Sequence, residues 1–277
     1  MEPVYSLAYL TSAPLDAPDA VLLAHRLGYG AVGLRALPAA PGGEVNPLLH
    51  DPAAERETRA RLADTGVTLF DMEIVRIGPD FRVEDVAAFL DLCGRLSARA
   101  VLVAGDDPDE ARLIQSYAAF CAAAQPYGLT ADLEFMPWTH VPDAKTALRI
   151  VTAAGAPNGG ILVDALHAAR SATTHADLAA IPRHLLHYAQ MCDAPAEVPA
   201  TTEGLIHTAR AERLLPGDGG IDLAGMFSVL PRDLPISLEL PNVTEKPRLG
   251  IEGWARLALE RARRVVHAIE QRRPVAV

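Results

Sequence analysis

Four side chains that carry oxygen donors stand at matching places in the sequence, each ending a short apolar segment. The segments are Thr-Ala-Asp-Leu-Glu134, Gly-Ile-Leu-Val-Asp164, His-Tyr-Ala-Gln190 and Ile-Ser-Leu-Glu239. A carboxylate at the end of a buried strand is costly unless something pairs with it. One divalent cation could hold all four side chains, and oxygen-only ligands favour Mg²⁺ or Mn²⁺ over Zn²⁺, with Co²⁺ also compatible. The sequence therefore predicts a metal site formed by these four residues.

Each of these residues also has an ordinary structural explanation. Asp164 could cap the helix that follows it, and Glu239 could pair with an arginine. Taken one at a time, these explanations are as good as the metal site. Four matching positions at the ends of consecutive predicted strands, the fifth to the eighth, favour the metal site over four separate coincidences.

His167 lies three residues after Asp164, in the string Asp-Ala-Leu-His. Residues three apart share one face of a helical turn, so His167 is a candidate acid/base group, or a residue that supports the metal ligands. The alternative is a histidine with a structural role at the rim of the fold.

Candidate substrate-binding residues lie in three other segments. Arg210 and Arg213 precede a Gly-Asp-Gly-Gly turn and could point together, as a pair suited to a carboxylate or phosphate. Glu73 and Arg76 end the third predicted strand and are expected to face the mouth of the cavity, and Trp138 is expected to wall it. Ordinary surface salt bridges and rim packing are the alternatives for these residues.

The elements that must position these residues are alternating strands and helices. The predicted strands are Val4–Leu10, Ala31–Leu34, Val67–Ile74, Ala100–Ala104, Thr130–Glu134, Gly160–Asp164, Leu186–Gln190 and Ile236–Glu239. The predicted helices are Pro18–Leu27, Ala53–Thr65, Val83–Leu96, Asp109–Tyr127, Asp143–Ala154, His175–Ala180, Ile221–Leu230 and Gly253–Gln271. Eight such units predict an α/β fold, a (β/α)₈ TIM barrel that occupies residues 1–277 as a single domain. Long loops are expected at Pro38–Asn46, Ala194–Thr208 and Pro241–Gly250, all on the face where such barrels place their active sites.

The composition narrows the class of protein. The 277 residues are 50% hydrophobic and carry a net charge of −10, and no basic patch stands out, so we expect no nucleic-acid partner. No apolar run is long enough to cross a membrane and no signal peptide is recognisable, so we expect a cytoplasmic protein without a membrane partner. The three cysteines show no metal-ligand spacing. The sequence leaves the oligomeric state open, and a homo-oligomer is compatible with it.

At these residues the chain resembles the xylose isomerase-like TIM barrels, the sugar phosphate isomerase/epimerase family, over essentially its whole length. The resemblance implies one divalent metal bound by Glu134, Asp164, Gln190 and Glu239, because that family places a Glu, an Asp, a His or Gln and a second Glu on strands five to eight. The family's Asp-x-x-His element is matched from Asp164, and its Arg-x-x-Arg-x-x-Pro-Gly-x-Gly element from Arg210.

Within that family the chain is most similar to bacterial 3-dehydroshikimate dehydratases. It shares with them the string Gln-Met-x-Asp-Ala-Pro from Gln190 and the Asp-x-Ala-Gly element that ends at Gly225. It departs from them where a serine is expected at Ala209, and where an Arg-Asp pair is expected but Arg76-Ile77 stands. Its second strand ends in Gly-Leu-Arg35, where a glutamate is frequent. The resemblance thus implies the family's metal chemistry for this chain, but it does not identify the substrate.

The first functional hypothesis is a metal-dependent isomerase or epimerase that acts on a polyhydroxy carbonyl compound, a sugar, sugar acid or sugar phosphate, through an enediolate. Glu134 and Glu239 would exchange the proton as catalytic base and acid, and the substrate would be a small and possibly anionic molecule. The alternatives are a lyase of the dehydroshikimate dehydratase type, with His167 as base, and a non-catalytic sugar-binding module.

Overall fold

Short β-branched and apolar segments alternate along the chain with amphipathic helices, and they close into a barrel. A computed structural model describes residues 3–39, 42–43 and 45–272. The strands are β1 (Tyr5–Leu7), β2 (Ala31–Arg35), β3 (Thr68–Ile77), β4 (Ala100–Gly105), β5 (Thr130–Glu134), β6 (Gly159–Asp164), β7 (Ala189–Met191) and β8 (Ile236–Leu238). Each strand pairs in parallel with the next, and β8 pairs with β1 to close the barrel. The predicted (β/α)₈ barrel is confirmed.

The helices form the outer layer of the barrel. They are α1 (Tyr9–Ser12), α2 (Ala17–Leu27), α3 (Pro52–Thr65), α4 (Ala87–Arg95), α5 (Glu110–Ala124), α6 (Ala144–Ala154), α7 (Ala165–Arg170), α8 (His175–Ala179), α9 (Thr202–Ala211), α10 (Leu223–Val229) and α11 (Glu245–Arg272), which is interrupted at Gly250. Aspartates cap several of them, as Asp16 and Asp143 do by accepting a backbone N–H of the first turn. Within the described ranges, no helix is both long and apolar enough to cross a membrane.

The two faces of the strands bury different sets of side chains. The outward face packs against the helices in one extensive apolar core that includes Leu34, Val103 and Leu133. The inward face carries a smaller apolar group with Phe70 and Tyr188, whose rings are 5.1 Å apart. This group fills the barrel below its C-terminal end and supports the polar side chains above it.

One ion pair lies inside the barrel away from that end. The Nδ1 atom of His187 is 2.6 Å from Oδ1 of the fully buried Asp132. Gly160 makes room for the pair, because a Cβ atom there would lie 2.4 Å from each of these two side-chain atoms. Asp132 thus holds His187 in place at this end of the barrel.

Several predicted boundaries were wrong. The first strand ends at Leu7 instead of Leu10 because the chain turns into α1, and the third continues to Ile77. The seventh begins at Ala189 instead of Leu186 because a 3₁₀ turn occupies Arg183–Leu185.

Two predicted loops contain helix. The expected loop Ala194–Thr208 includes most of α9, which Thr201 caps by accepting the backbone N–H of Gly204 at 3.1 Å. The expected loop Pro241–Gly250 becomes helical from Glu245 onward. In the third predicted loop, Pro38–Asn46, residues 40, 41 and 44 lie outside the described residues.

Candidate active site

The four predicted oxygen donors all lie at the same end of the barrel, at the ends of strands β5 to β8. Glu134, Asp164 and Gln190 lie at or near the ends of β5, β6 and β7, and Glu239 directly follows β8. Asp164 and Gln190 are paired in register, so their side chains share the inward face. Glu134 and Glu239 are 4% exposed, and Asp164 and Gln190 are 0% exposed. The four side chains that end predicted strands in the sequence are thus all buried at the C-terminal end of the barrel.

The side-chain amide of Gln190 lies between two carboxylates. With its nitrogen turned toward them, it donates to Glu134 Oε1 and Asp164 Oδ2, at 3.1 Å each. Turned the other way, it brings its own oxygen to the same two carboxylate oxygens. Three oxygens at such distances repel one another unless a cation lies among them, so the arrangement can hold either a hydrogen-bonded amide or a metal ion.

His167 completes this side of the site. Asp164 Oδ1 accepts the backbone N–H of His167 at 3.0 Å, so Asp164 also caps α7. The His167 Nε2 atom is 3.7 Å from Glu134 Oε1, and its ring packs edge-on against Trp138 with centroids 5.0 Å apart. Donor atoms of Glu134, Asp164 and His167 all lie within 4.8 Å of one another, so His167 is itself placed to serve as a metal ligand.

Arg213 lies buried between two of the carboxylates. Its guanidinium is 2% exposed and donates to Asp164 at 2.6 Å, while its Nη2 atom is 3.0 Å from Glu239 Oε2. Its Nε donates to the backbone oxygen of Ala209 at 2.8 Å. Arg210 and Arg213 both line the cavity, but Arg213 is buried in these ion pairs whereas Arg210 is exposed at the rim. Helix α9 ends at Ala211, between the two residues.

Burial and neighbouring charge set the ionisation of these groups. Burial raises the pKa of Glu239 to about 7, against the opposing charge of Arg213, and raises the pKa of Glu134 well above its usual value. Burial acts in the same sense on Asp164, but the charge and hydrogen bond of Arg213 lower the pKa of Asp164 below its usual value. Burial lowers the pKa of His167 to about 4, so its imidazole is neutral near pH 7.

The other candidate residues line the same cavity. Glu73 and Arg76 on β3, together with Trp138, form its wall as the sequence suggested, and Arg76 Nη1 donates to Asp106 at 2.9 Å. Arg35, at the end of β2, also lines the cavity and was not among the predicted site residues. The signal that could have found it is the one used for the carboxylates, namely a charged residue that ends an apolar strand.

A parallel barrel with buried oxygen donors at the C-terminal ends of four consecutive strands defines the class of protein. The sequence profile of the xylose isomerase-like TIM barrel family matches residues 21–265, and the chain belongs to this family. It is 28% identical over 213 residues to a 3-dehydroshikimate dehydratase of Pseudomonas aeruginosa and 26% identical over 213 residues to one of Pseudomonas putida. These regions cover 71% of this chain and 33% of each dehydratase, so the chain spans about a third of their length.

Solved structures share the fold at low sequence identity. The IolI protein with a bound zinc atom is 17% identical with a TM-score of 0.80, and the match covers 97% of this chain and 99% of that one. The D-allulose 3-epimerase of Methylomonas sp. in complex with D-allulose is 15% identical with a TM-score of 0.69, covering 95% of this chain and 97% of that one.

Proposed function

We propose that the protein is a divalent-metal-dependent isomerase or epimerase of a polyhydroxy carbonyl compound, acting through an enediolate. The observation that carries the proposal is the placement of Glu134 and Glu239. Both carboxylates are buried and line one cavity from different strands, and Asp164 and Gln190 lie at the ends of the strands between them. Two proton-carrying groups that face one substrate are what exchange of a proton at carbon requires. Among the structural neighbours, an epimerase holds D-allulose.

The donor set fits a divalent ion. Glu134, Asp164, Gln190 and the His167 imidazole have donor atoms close enough to one another to hold it, and Glu239, which lines the same cavity, would be a further ligand. When all three carboxylates are ionised they carry three negative charges, and the buried Arg213 balances one of them, so the remaining charge of −2 would match a divalent cation. When bound, the ion would act as a Lewis acid that makes a C–H next to a carbonyl more acidic. Oxygen donors favour Mg²⁺ or Mn²⁺, whereas the IolI neighbour holds zinc.

The chain's own residues supply proton transfer and exclusion of water. Glu239, whose pKa burial raises to about 7, is suited both to accept a proton and to return it near neutral pH. Glu134 faces the same cavity and is the second carrier of the proton. Trp138 packs against His167 and shields that edge of the cavity, which keeps charges that develop on the substrate in a poorly solvated place.

Dehydration is the second candidate function, favoured by the similarity to the two dehydratases and by a neutral His167. His167 Nε2, at 3.7 Å from Glu134 Oε1, would remove the proton, and a hydroxyl would leave from the neighbouring carbon. The reaction yields a conjugated product, which separates it from isomerisation.

One experiment distinguishes these functions. The protein is loaded with Mg²⁺ or Mn²⁺ and incubated in D₂O with ketoses, sugar acids, sugar phosphates and 3-dehydroshikimate. Deuterium at the carbon next to the carbonyl, together with a new isomer, supports the proposal, and a new conjugated absorbance supports dehydration. Binding with neither outcome across the panel would indicate a sugar-binding module. A Glu134→Gln, Glu239→Gln double variant is the control for metal-catalysed exchange without the protein's carboxylates.

A further inference from the structure

The cavity wall opposite the β5–β6 carboxylates carries a second ion pair. Arg35 at the end of β2 and Glu73 on β3 are register partners, and Arg35 Nη2 donates to Glu73 Oε2 at 2.6 Å. The Glu73 side chain is 1% exposed and that of Arg35 is 17% exposed. Both residues line the cavity together with Glu134 and Glu239. A substrate that reaches the four oxygen donors therefore also meets this pair.

The pair leaves hydrogen-bonding capacity unused. Among the described residues, Glu73 Oε1 and Arg35 Nε are buried and have no hydrogen-bond partner. A buried acceptor of this kind is unfavourable unless a donor reaches it. Glu73 is therefore ready to accept a hydrogen bond from a group that enters the cavity.

The surroundings of Arg35 hold the carboxylate in place. The guanidinium lies over the ring of Tyr9, 4.5 Å from its centroid, and this contact helps to fix its position. One Glu73 oxygen is engaged by Arg35, and the other remains available. The charges of Arg35 and Glu73 cancel, and the neighbouring Arg76 is paired with Asp106 at 2.9 Å, so the available Glu73 oxygen disfavours an anion beside it.

We propose that Glu73 is a specificity-determining residue that accepts a hydrogen bond from a substrate hydroxyl remote from the reacting carbonyl, and that Arg35 positions it. The inference rests on the proposed function and names the class of substrate more closely. The substrate carries a free hydroxyl at the end that meets β2 and β3, and it carries neither a phosphate nor a carboxylate there. An anionic group, where a substrate has one, would lie toward Arg210 at the rim.

Binding, measured by isothermal titration calorimetry on the Mn²⁺-loaded protein, tests this inference. The probes are D-fructose, its terminally deoxygenated analogue and its terminal phosphate ester, and the same three forms of D-xylulose. Wild-type protein is expected to bind at least one free ketose about 10- to 100-fold more tightly than its deoxy analogue, because the hydroxyl reaches a buried carboxyl oxygen that otherwise has no donor. It is expected to bind the phosphate ester more weakly than the free ketose.

Variants of Glu73 and Arg35 test whether this ion pair causes the preference for the ketose over its deoxy analogue. Glu73→Ala should remove the preference for the hydroxyl, and Glu73→Gln should bind the phosphate ester more tightly than wild type does. Arg35→Gln should reduce the preference and Arg35→Lys should restore most of it, which loss of a merely structural contact would not do. Asp107→Asn is the matched control, because it breaks the Arg112–Asp107 pair of 2.6 Å, which does not line the described part of this cavity. This control should leave the preference unchanged.

Three results would overturn the inference: equal binding of ketose and deoxy analogue, tighter binding of the phosphate ester by wild type, or a preference that survives in Glu73→Ala. Failure of every ketose to bind would also count against it. The proposed function is judged separately, by deuterium exchange. Discrimination in binding without exchange would refute the isomerase alone, and exchange without discrimination would refute only the role of Glu73.

Discussion

Replacement of Arg213 by methionine tests most directly whether this residue is the counter-charge for the buried carboxylates of the candidate site. Arg213 is 2% exposed and lies 2.6 Å from Asp164 and 3.0 Å from Glu239. Methionine keeps much of the length and apolar volume of the side chain but removes the charge and its donors. The two carboxylates would then remain buried without their shared counter-charge.

The burial of this ion pair determines how much stability the substitution should cost. Removal of one partner from a buried ion pair destabilises a protein by about 3–5 kcal/mol, because the remaining charge is uncompensated. At roughly 2–4 °C per kcal/mol for a chain of this size, the melting temperature should fall by about 6–20 °C. Arg213 keeps the pKa of Asp164 below its usual value, so its contribution is present above the unfolded pKa and is lost as pH falls through the folded one. The difference between wild type and variant should therefore be full above about pH 4 and should narrow as the pH falls below that value.

The assay is urea denaturation followed by circular dichroism, at neutral and acidic pH and in the presence of a chelator. Mn²⁺ added in a parallel series should restore part of the lost stability, because a ligand that binds only the folded state stabilises it. Arg82→Met, which breaks the exposed pair with Asp85, is the control and should unfold close to wild type. If Arg213→Met unfolded at the wild-type midpoint at neutral pH, the view of Arg213 as the internal counter-charge would be refuted.

Three further predictions follow from the same geometry. Glu239→Gln should lower turnover by about 10²–10⁴-fold in the exchange assay, and a wild-type rate at full metal occupancy would exclude an essential carboxylate. Gln190→His should keep metal binding but shift the preference toward Zn²⁺ or Co²⁺, and an unchanged ranking in metal titrations would argue against Gln190 as a ligand. Burial acts to lower the pKa of His187, but the hydrogen bond and charge of Asp132 raise it above its usual value. The stability that His187→Gln loses should thus be largest below about pH 6.5 and should shrink as pH rises through the folded pKa; a loss independent of pH in denaturation experiments would contradict this.

The strand ends were the part of the site most accessible to sequence reasoning. Glu134, Asp164, Gln190 and Glu239 follow apolar segments, and parallel strands align their C-terminal ends at one face of a barrel. The alternation of segments therefore implied both the fold and the convergence of these side chains. His167 was placed by the same local rule, because the helix α7 begins directly after Asp164.

Residues beyond the ends of elements were decided by tertiary structure. Arg213 follows the end of α9, where helical periodicity no longer predicts direction, and the buried carboxylates draw it inward. The sequence predicts a loop where most of α9 lies, because Thr and Pro residues precede the helix and Gly204 lies inside it. Thr201 nevertheless caps this helix.

The sequence by itself determined the barrel, the side on which its site lies and the residue types that converge there, because periodicity and strand ends are local properties. Which arginine pairs with which carboxylate depends on the folded chain. Arg213 meets Asp164 across 49 positions and Arg35 meets Glu73 across 38. Electrostatic pairing over such separations depends on distances in space that only the closed barrel establishes.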